Sequence, residues 1–171
     1  RTSDDQAALW EALADNTLQL ITSDHAPYRM DASGKFAHGR DAPFNKIANG
    51  MPGLETRLPL MFDAMVSKGK MGLESFVEKM STAPARAFGL QGKGRIALGC
   101  DADIAIWDPE ARLTYGPNDL HDNVDYNPFC GTTVKGLPIT VLSRGEFVLS
   151  NRELVGKPGR GAHLPMQDPR T

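Results

Sequence analysis

The hydrophobic pattern of this chain changes character near residues 90–94, where Gly89, Gly92 and Gly94 cluster. Before this point, apolar residues recur at helical spacing, most clearly from Leu54 to Met65. After it, apolar residues form short runs separated by Gly, Asp-Pro and Asn-Pro. These runs are residues 96–98, 104–107, 132–134, 139–142 and 147–149. The pattern predicts a helical region followed by a small antiparallel sheet or sandwich.

The first 22 residues predict a helix followed by a buried strand. Ser3 and Gln6 have the spacing of a capping box, which places a helix start at Ser3, and the helical pattern ends near Asp15. Residues 18–22 are apolar and too few for a helix, so we expect a strand buried on both faces, as in parallel sheets. A helix followed by such a strand is half of an α/β repeat.

The composition is that of a globular protein. The 171 residues are 40% hydrophobic and 23% charged, which is enough for one sizeable core or two small ones. A net charge of -2 leaves no electrostatic footprint for nucleic acid or an anionic membrane, and no apolar stretch approaches the roughly 20 residues of a membrane helix. Cys100 and Cys130 form no C-x-x-C pair, and no secretory leader is visible. We therefore expect a cytoplasmic protein that binds neither nucleic acid nor a membrane.

The stretch LQLITSDHAPY places Asp24 and His25 where the predicted strand ends. Asp often ends a strand by satisfying free backbone groups, and Pro27 stops the strand, so residue types alone favour a structural role. A carboxylate at the carboxyl end of a parallel strand also lies on the functional face of an α/β fold, where it can ligate a metal or act as a general base. Asp24 alone is not a metal site, because a catalytic zinc normally needs about three protein ligands. The four histidines, none in an H-x-H or H-x-x-x-H pair, are each expected to be surface or hydrogen-bonded structural residues; they are His25, His38, His121 and His163.

Residues 28–53 form a long polar loop, a length that usually indicates disorder or function. The loop ends in Asn49-Gly50-Met51-Pro52-Gly53, where two glycines permit unusual backbone angles and close approach of a ligand. A tight turn leading into the helix near Leu54 is the simpler interpretation, with Glu55 favourably placed at the positive helix end.

Five stretches occur in an order that resembles a known family. They are TSDHAPY, APFNKIANGMPGLETRLPL, STAPARAFGL, KGRIALGCDADIAIWDP and LHDNVDYNPFCG followed by VKGLPITVLSRGEFV. The series resembles the C-terminal part of the cyclic amidohydrolases, which include hydantoinases, dihydropyrimidinases, allantoinases and dihydroorotases. The NGMPGLETR form is most similar to the hydantoinase and dihydropyrimidinase branch. The resemblance covers residues 1–164.

The resemblance implies a role for each residue of the DH motif and for the Asn before the glycine pair. Asp24 would end the eighth strand of a barrel, ligate one of two metal ions and carry the proton of the reaction. Asn49 would bind the substrate ring through main-chain groups. His25 would orient the loop. The implied cofactor is a binuclear divalent metal, zinc, for which Asp24 is the one matched ligand in this chain.

The resemblance also implies that two domains are incomplete here. A (β/α)₈ barrel needs about 250 residues, and the family's H-x-H motif, carboxylated lysine and two further histidine ligands are not present. We expect an α/β chain in which residues 1–90 are the last strand and C-terminal helices of the barrel, residues 91–157 part of a β-sandwich, and residues 158–171 an irregular tail. The chain begins at Arg1, and we expect it to be the C-terminal piece of a longer enzyme.

The predicted function is hydrolysis of a cyclic amide C–N bond, opening a hydantoin or dihydropyrimidine ring. The chain alone would be inactive, and the longer enzyme would be a homo-oligomer, either a dimer or a tetramer. One alternative is a non-catalytic relative that acts as an assembly or signalling scaffold, and another is an allantoinase or dihydroorotase type of hydrolase. A stand-alone binding module is disfavoured because an unfinished barrel would expose a sheet edge.

Overall fold

The computed structural model describes residues 2–166, which form a helical layer and one antiparallel sheet. The helical elements are α1 (Ser3–Ala14), a 3₁₀ turn (Phe44–Lys46), α2 (Leu54–Phe62) with a π-helical extension (Asp63–Ser67), α3 (Leu73–Val77) with a π-helical extension (Glu78–Thr82), and α4 (Ala83–Ala87). The strands are β1 (Ile104–Thr114), β2 (Thr133–Ser143), β3 (Glu146–Ser150) and β4 (Glu153–Leu154). Among these residues, no helix has the length and apolar character needed to cross a membrane.

Helix α1 starts at Ser3 as predicted, but a different pair of residues caps it. The Thr2 hydroxyl accepts a hydrogen bond from the Asp5 N–H at 3.2 Å, and the Asp5 carboxylate accepts one from the Thr2 N–H at 2.8 Å. The capping box predicted for Ser3 and Gln6 is therefore wrong by one residue, because Thr2 and Asp5 have the same three-residue spacing.

The predicted strand at residues 18–22 is not formed. A strand needs a ladder partner, and no other strand of residues 2–166 runs beside this segment. Its backbone bonds instead go to helical elements: Leu18 N–H donates to the Ala12 carbonyl at 2.7 Å, and Ile21 N–H donates to the Lys79 carbonyl at 3.1 Å. The segment is irregular and is tied to helices.

Lys79, only 3% exposed, holds the start of this segment from the π-helical extension of α3. Its ammonium donates to Asn16 Oδ1 at 2.6 Å and to the Leu18 carbonyl at 2.9 Å. A buried ammonium requires such acceptors, because desolvation without them is costly. The side chain therefore fixes the turn between α1 and the segment that leads to Asp24.

The helix predicted from Leu54 is confirmed, and further helical elements cover residues 73–87. Their buried residues, Phe62, Met65, Phe76 and Met80, form a core cluster. Trp107 of β1 packs into this cluster and stacks on Phe62, so that the sheet and the helices share one core.

The strands follow the order β1-β2-β3-β4, and each neighbouring pair is antiparallel. Tyr115, Val134 and Leu137 form a second buried cluster beside this sheet. The strand runs predicted at residues 104–107, 139–142 and 147–149 are confirmed, and the run at 132–134 begins its strand at Thr133.

The predicted run at residues 96–98 is not a strand. Residues 96 and 97 are irregular, a turn begins at residue 98, and the Ile96 and Leu98 side chains are exposed. The tail prediction falls partly outside the described residues: 158–166 contain no helix or strand, and 167–171 lie beyond them. The confirmed part of the fold class is an α/β chain with a small antiparallel sheet.

Candidate active site

Asp24 lies in the loop between residues 22 and 27, not at the end of a strand as predicted. Its backbone has a φ of 45°, in the left-handed region, and the residue is exposed. Asp and Asn are the non-glycine residues most often found there, and such strained positions cluster at functional sites. The carboxylate is therefore presented to solvent on a backbone that its neighbours must hold in place.

His25 ties this loop to the start of helix α2. The His25 Nδ1 accepts hydrogen bonds from the backbone N–H of Gly53 at 3.1 Å and of Leu54 at 3.2 Å. Both amides belong to the first turn of α2, where N–H groups have no partner inside the helix. Since Nδ1 accepts, the imidazole proton lies on Nε2. His25 is a hydrogen-bonded structural residue, as expected of an isolated histidine.

The backbones of the two loops also make direct contact. His25 and Met51 form a short parallel bridge, and the Ala26 N–H donates to the Met51 carbonyl at 3.1 Å. The contact depends on Gly50, whose φ is 110° and at which an added Cβ would lie 2.3 Å from the Ala26 Cβ. The glycine thus permits close approach, here of another protein segment, in the turn that leads into α2.

Lys35 fixes the other side of the Asn49 loop, a role that the sequence did not indicate. Its Nζ donates to the Ala48 carbonyl at 2.9 Å and to the Gly50 carbonyl at 2.6 Å. These carbonyls flank Asn49, which is exposed. A lysine inside a polar loop is usually solvated, so only the structure reveals its contact with two carbonyls thirteen and fifteen residues further on.

Two hydrogen-bonded carboxylates, Asp31 and Glu55, follow these loops in the chain. Hydrogen bonds from Ser33 and Arg29 lower the pKa of Asp31 from its ordinary 3.8 to about 2. On the α2 side, the Glu55 carboxylate accepts from His121 Nδ1 at 2.9 Å and raises the pKa of His121 above its ordinary 6.5. Each loop is therefore followed by a carboxylate that hydrogen bonds hold in place.

The described residues do not build a metal centre. Within residues 2–166, no three His, Cys, Asp or Glu side chains lie together as a group that could hold a metal ion. Asp24 is the one candidate ligand, and a lone exposed carboxylate cannot hold two divalent cations. The residues present thus do not fit a binuclear centre by themselves.

Comparison with known proteins places the chain in a family. The model of the amidohydrolase family matches residues 1–148, and the chain belongs to that family. Within it, the chain is similar to the hydantoinase and dihydropyrimidinase branch, which confirms the resemblance found in the sequence.

Two curated relatives and one solved structure illustrate the likeness. The chain is 42% identical to a D-hydantoinase of Streptomyces coelicolor over 96% of its own length and 35% of the relative's. It is 43% identical to a D-hydantoinase of Geobacillus stearothermophilus over 93% of its length and 33% of the relative's. A crystal structure of dihydropyrimidinase from Brevibacillus agri superposes with a TM-score of 0.84 at 45% identity, covering 91% of this chain and 33% of that one. The chain thus spans about a third of the length of these relatives.

Proposed function

We propose that the chain is the C-terminal part of a longer hydrolase that opens a cyclic amide ring of the hydantoin or dihydropyrimidine type. The observation that carries the proposal is the placement of Asp24. Its carboxylate is exposed on a left-handed backbone, in a loop that His25 joins to the loop of Asn49. The membership of the family and the similarity to D-hydantoinases support the same reaction.

In this proposal Asp24 is the acid and base of the reaction. Its carboxylate takes a proton from the water that attacks the ring carbonyl, and the new C–O bond forms as that proton leaves. When the C–N bond breaks, Asp24 returns the proton to the ring nitrogen, so that it ends the cycle ionised. Asn49, an exposed residue between the two carbonyls that Lys35 holds, would bind the ring beside it through its main-chain groups.

A binuclear divalent metal centre, with zinc as the metal, belongs to the longer protein. Asp24 would be one of its ligands, and the remaining ligands would come from residues outside this chain. A metal held by a single carboxylate is weakly bound. We therefore propose that the chain alone is inactive.

The proposed architecture has the same three regions that the sequence analysis predicts. Residues 1–90 would complete a (β/α)₈ barrel, residues 91–157 would be part of a β-sandwich, and residues 158–171 would be a tail. Residues 18–22, which form no strand in this chain, would pair as a strand once neighbouring barrel strands are present, because a strand needs a partner. The longer protein would be a cytoplasmic homo-oligomer, a dimer or a tetramer.

The test is steady-state hydrolysis of hydantoin and dihydrouracil by the longer protein, by its variants and by the isolated chain. Asp24→Asn removes the charge while keeping a residue that tolerates positive φ, so a lower rate reports lost chemistry. We expect kcat to fall by about 10²- to 10⁴-fold. Asp41→Asn, an exposed carboxylate in the long loop, is the matched control and should leave kcat unchanged.

Two results would contradict the proposal. Substantial turnover by the isolated chain would show that the described residues suffice for the reaction. Near-normal turnover by the Asp24→Asn variant would remove Asp24 from the chemistry.

A further inference from the structure

Residues 116–131, called the clasp loop below, form a closed surface loop between β1 and β2. Its base is tied by two backbone hydrogen bonds: Tyr115 N–H to the Thr132 carbonyl at 3.0 Å, and Gly131 N–H to the Tyr115 carbonyl at 2.7 Å. Asn127 Nδ2 donates across the loop to the Gly116 carbonyl at 2.8 Å. Buried Tyr115 anchors the base in the cluster beside the sheet. Compact loops whose ends meet in this way are frequently functional.

The clasp loop reaches the segment that follows Asp24. Asp125 Oδ1 accepts a hydrogen bond from the Met30 N–H at 2.7 Å, and Asp125 Oδ2 lies 4.0 Å from Arg29 Nη2. Arg29 Nη1 donates to the Asn123 carbonyl at 3.2 Å. A charged acceptor on a backbone N–H is among the stronger hydrogen bonds in proteins. The contacts join positions 94 and 95 residues apart in the sequence.

The same loop also reaches the segment that follows Asn49. Glu55, in the first turn of α2, accepts from the His121 N–H at 2.8 Å and from His121 Nδ1 at 2.9 Å. Gly53, two residues earlier, donates to His25. The clasp loop and His25 therefore hold the same helix end from two sides.

A continuous series of bonds leads from the clasp loop to Asn49. The Arg29 carbonyl, next to the amide that Asp125 holds, accepts from the Lys35 N–H at 2.8 Å. The Lys35 ammonium in turn binds the Ala48 and Gly50 carbonyls on either side of Asn49. Releasing Arg29 and Met30 from the clasp loop would therefore loosen the loop of Asn49 as well as the segment that contacts the clasp loop directly.

We propose that the clasp loop positions the loops of Asp24 and Asn49, and that Asp125 is its principal positioning residue. The inference deepens the proposed function, on which its catalytic consequence rests. Under this proposal, the region that contains the sheet and the clasp loop affects the affinity of the site for its substrate, although that region contributes none of the candidate site residues.

Hydrogen exchange measured by mass spectrometry on the 171-residue chain tests the positioning role without any activity. Asp125→Ala should speed exchange in peptides covering residues 28–36 and 47–51, with exchange in α2 and α3 unchanged. Asp125→Asn keeps an acceptor for the Met30 amide and removes the charge facing Arg29, so it should give an intermediate effect. Asp122→Ala is the control, because Asp122 bonds to Val124 within its own loop at 3.3 Å.

Wild-type exchange in residues 28–36 of Asp125→Ala would overturn the proposal. Equal loosening by Asp122→Ala would overturn it as well, because the effect would then come from a disordered clasp loop and not from a lost contact.

The catalytic consequence is measured in the longer protein with hydantoin as substrate. Asp125→Ala should raise KM by about threefold to tenfold, the range of one ordinary hydrogen bond, with kcat changed less than about twofold. Asp125→Asn should recover part of the KM. A loss confined to kcat would contradict the positioning role. If the wild-type longer protein opens no cyclic amide, the proposed function fails, while the exchange experiment still decides whether the clasp loop orders the two loops.

Discussion

The rings of Phe62 and Trp107 are stacked, with ring centroids 4.4 Å apart and an angle of 7° between the ring planes. Phe62 ends helix α2, and Trp107 lies in strand β1, so this pair joins the helical layer to the sheet. Phe76 meets Trp107 edge-on at 5.5 Å. Aromatic pairs in such arrangements add stability beyond the area they bury. The contact couples the stability of the two regions.

Phe62→Ala should lower the free energy of unfolding of the chain by about 3–5 kcal/mol, because it removes a buried ring at the centre of that contact. Denaturant unfolding followed by far-UV circular dichroism measures the change. The matched control is Phe44→Ala, whose ring is 90% exposed and should cost less than about 0.5 kcal/mol. Similar losses for the two variants would contradict the shared core.

Gly136→Ala should destabilise the chain more than Gly145→Ala. Both glycines have positive φ, 92° and 78°, so both variants carry the backbone strain of a left-handed residue. An added Cβ at Gly136 would lie 2.1 Å from the Phe62 ring, whereas Gly145 has open space around it. The difference between the two variants in denaturant unfolding, expected at about 1–3 kcal/mol, measures the steric term alone. Equal destabilisation would mean that Phe62 moves aside at no cost.

His25→Ala should speed hydrogen exchange at the Gly53 and Leu54 amides, because both lose their acceptor. Loss of a helix-capping acceptor typically costs about 1 kcal/mol, which corresponds to several-fold faster exchange. His25→Asn places a carbonyl oxygen near the former Nδ1 and should restore part of the protection. NMR exchange rates of the two amides measure the effect, and unchanged rates in His25→Ala would contradict the cap.

The bonds to Asp31 should make the stability of the chain depend on pH below about 4. The folded pKa of Asp31 is about 2, lowered from 3.8 first by the Ser33 hydroxyl and then by Arg29. A lowered carboxyl pKa stabilises the folded state above the unfolded pKa, and this contribution disappears as the pH falls from about 4 to about 2. Ser33→Ala should raise the Asp31 pKa, measured by NMR titration of its carboxyl carbon. An unchanged pKa in that variant would show that the hydroxyl does not hold the carboxylate.

The helices of this chain could be predicted because the pattern that indicates a helix lies within the helical segment itself. Residues from Leu54 to Gly69 repeat their apolar side chains at helical spacing, and the structure places helix there. The segment at residues 18–22 has the composition of a buried strand. A strand forms only with a partner, and the sequence of the segment does not determine whether a partner is present. The same limit explains the exposed run at residues 96–98.

The sequence singled out candidate site residues but not their arrangement. The resemblance singled out Asp24 and Asn49, and their catalytic roles stay predictions. The histidine beside Asp24 was expected to be a surface or a hydrogen-bonded structural residue, and its partners, the Gly53 and Leu54 amides, lie 28 and 29 residues away. The contact of Asp125 with Met30 spans 95 residues between two irregular loops, which leave no periodic signal in the sequence.

The contacts of Lys79 bear on the order in which parts of this molecule unfold. Its ammonium and carbonyl hold residues 16–21 by three hydrogen bonds, and of this segment only the Ile21 side chain packs against the helical core. A segment secured by so few bonds opens at a lower free energy than the whole domain unfolds. On warming, the backbone that leads to Asp24 would therefore loosen while Phe62, Met65 and Phe76 are still packed.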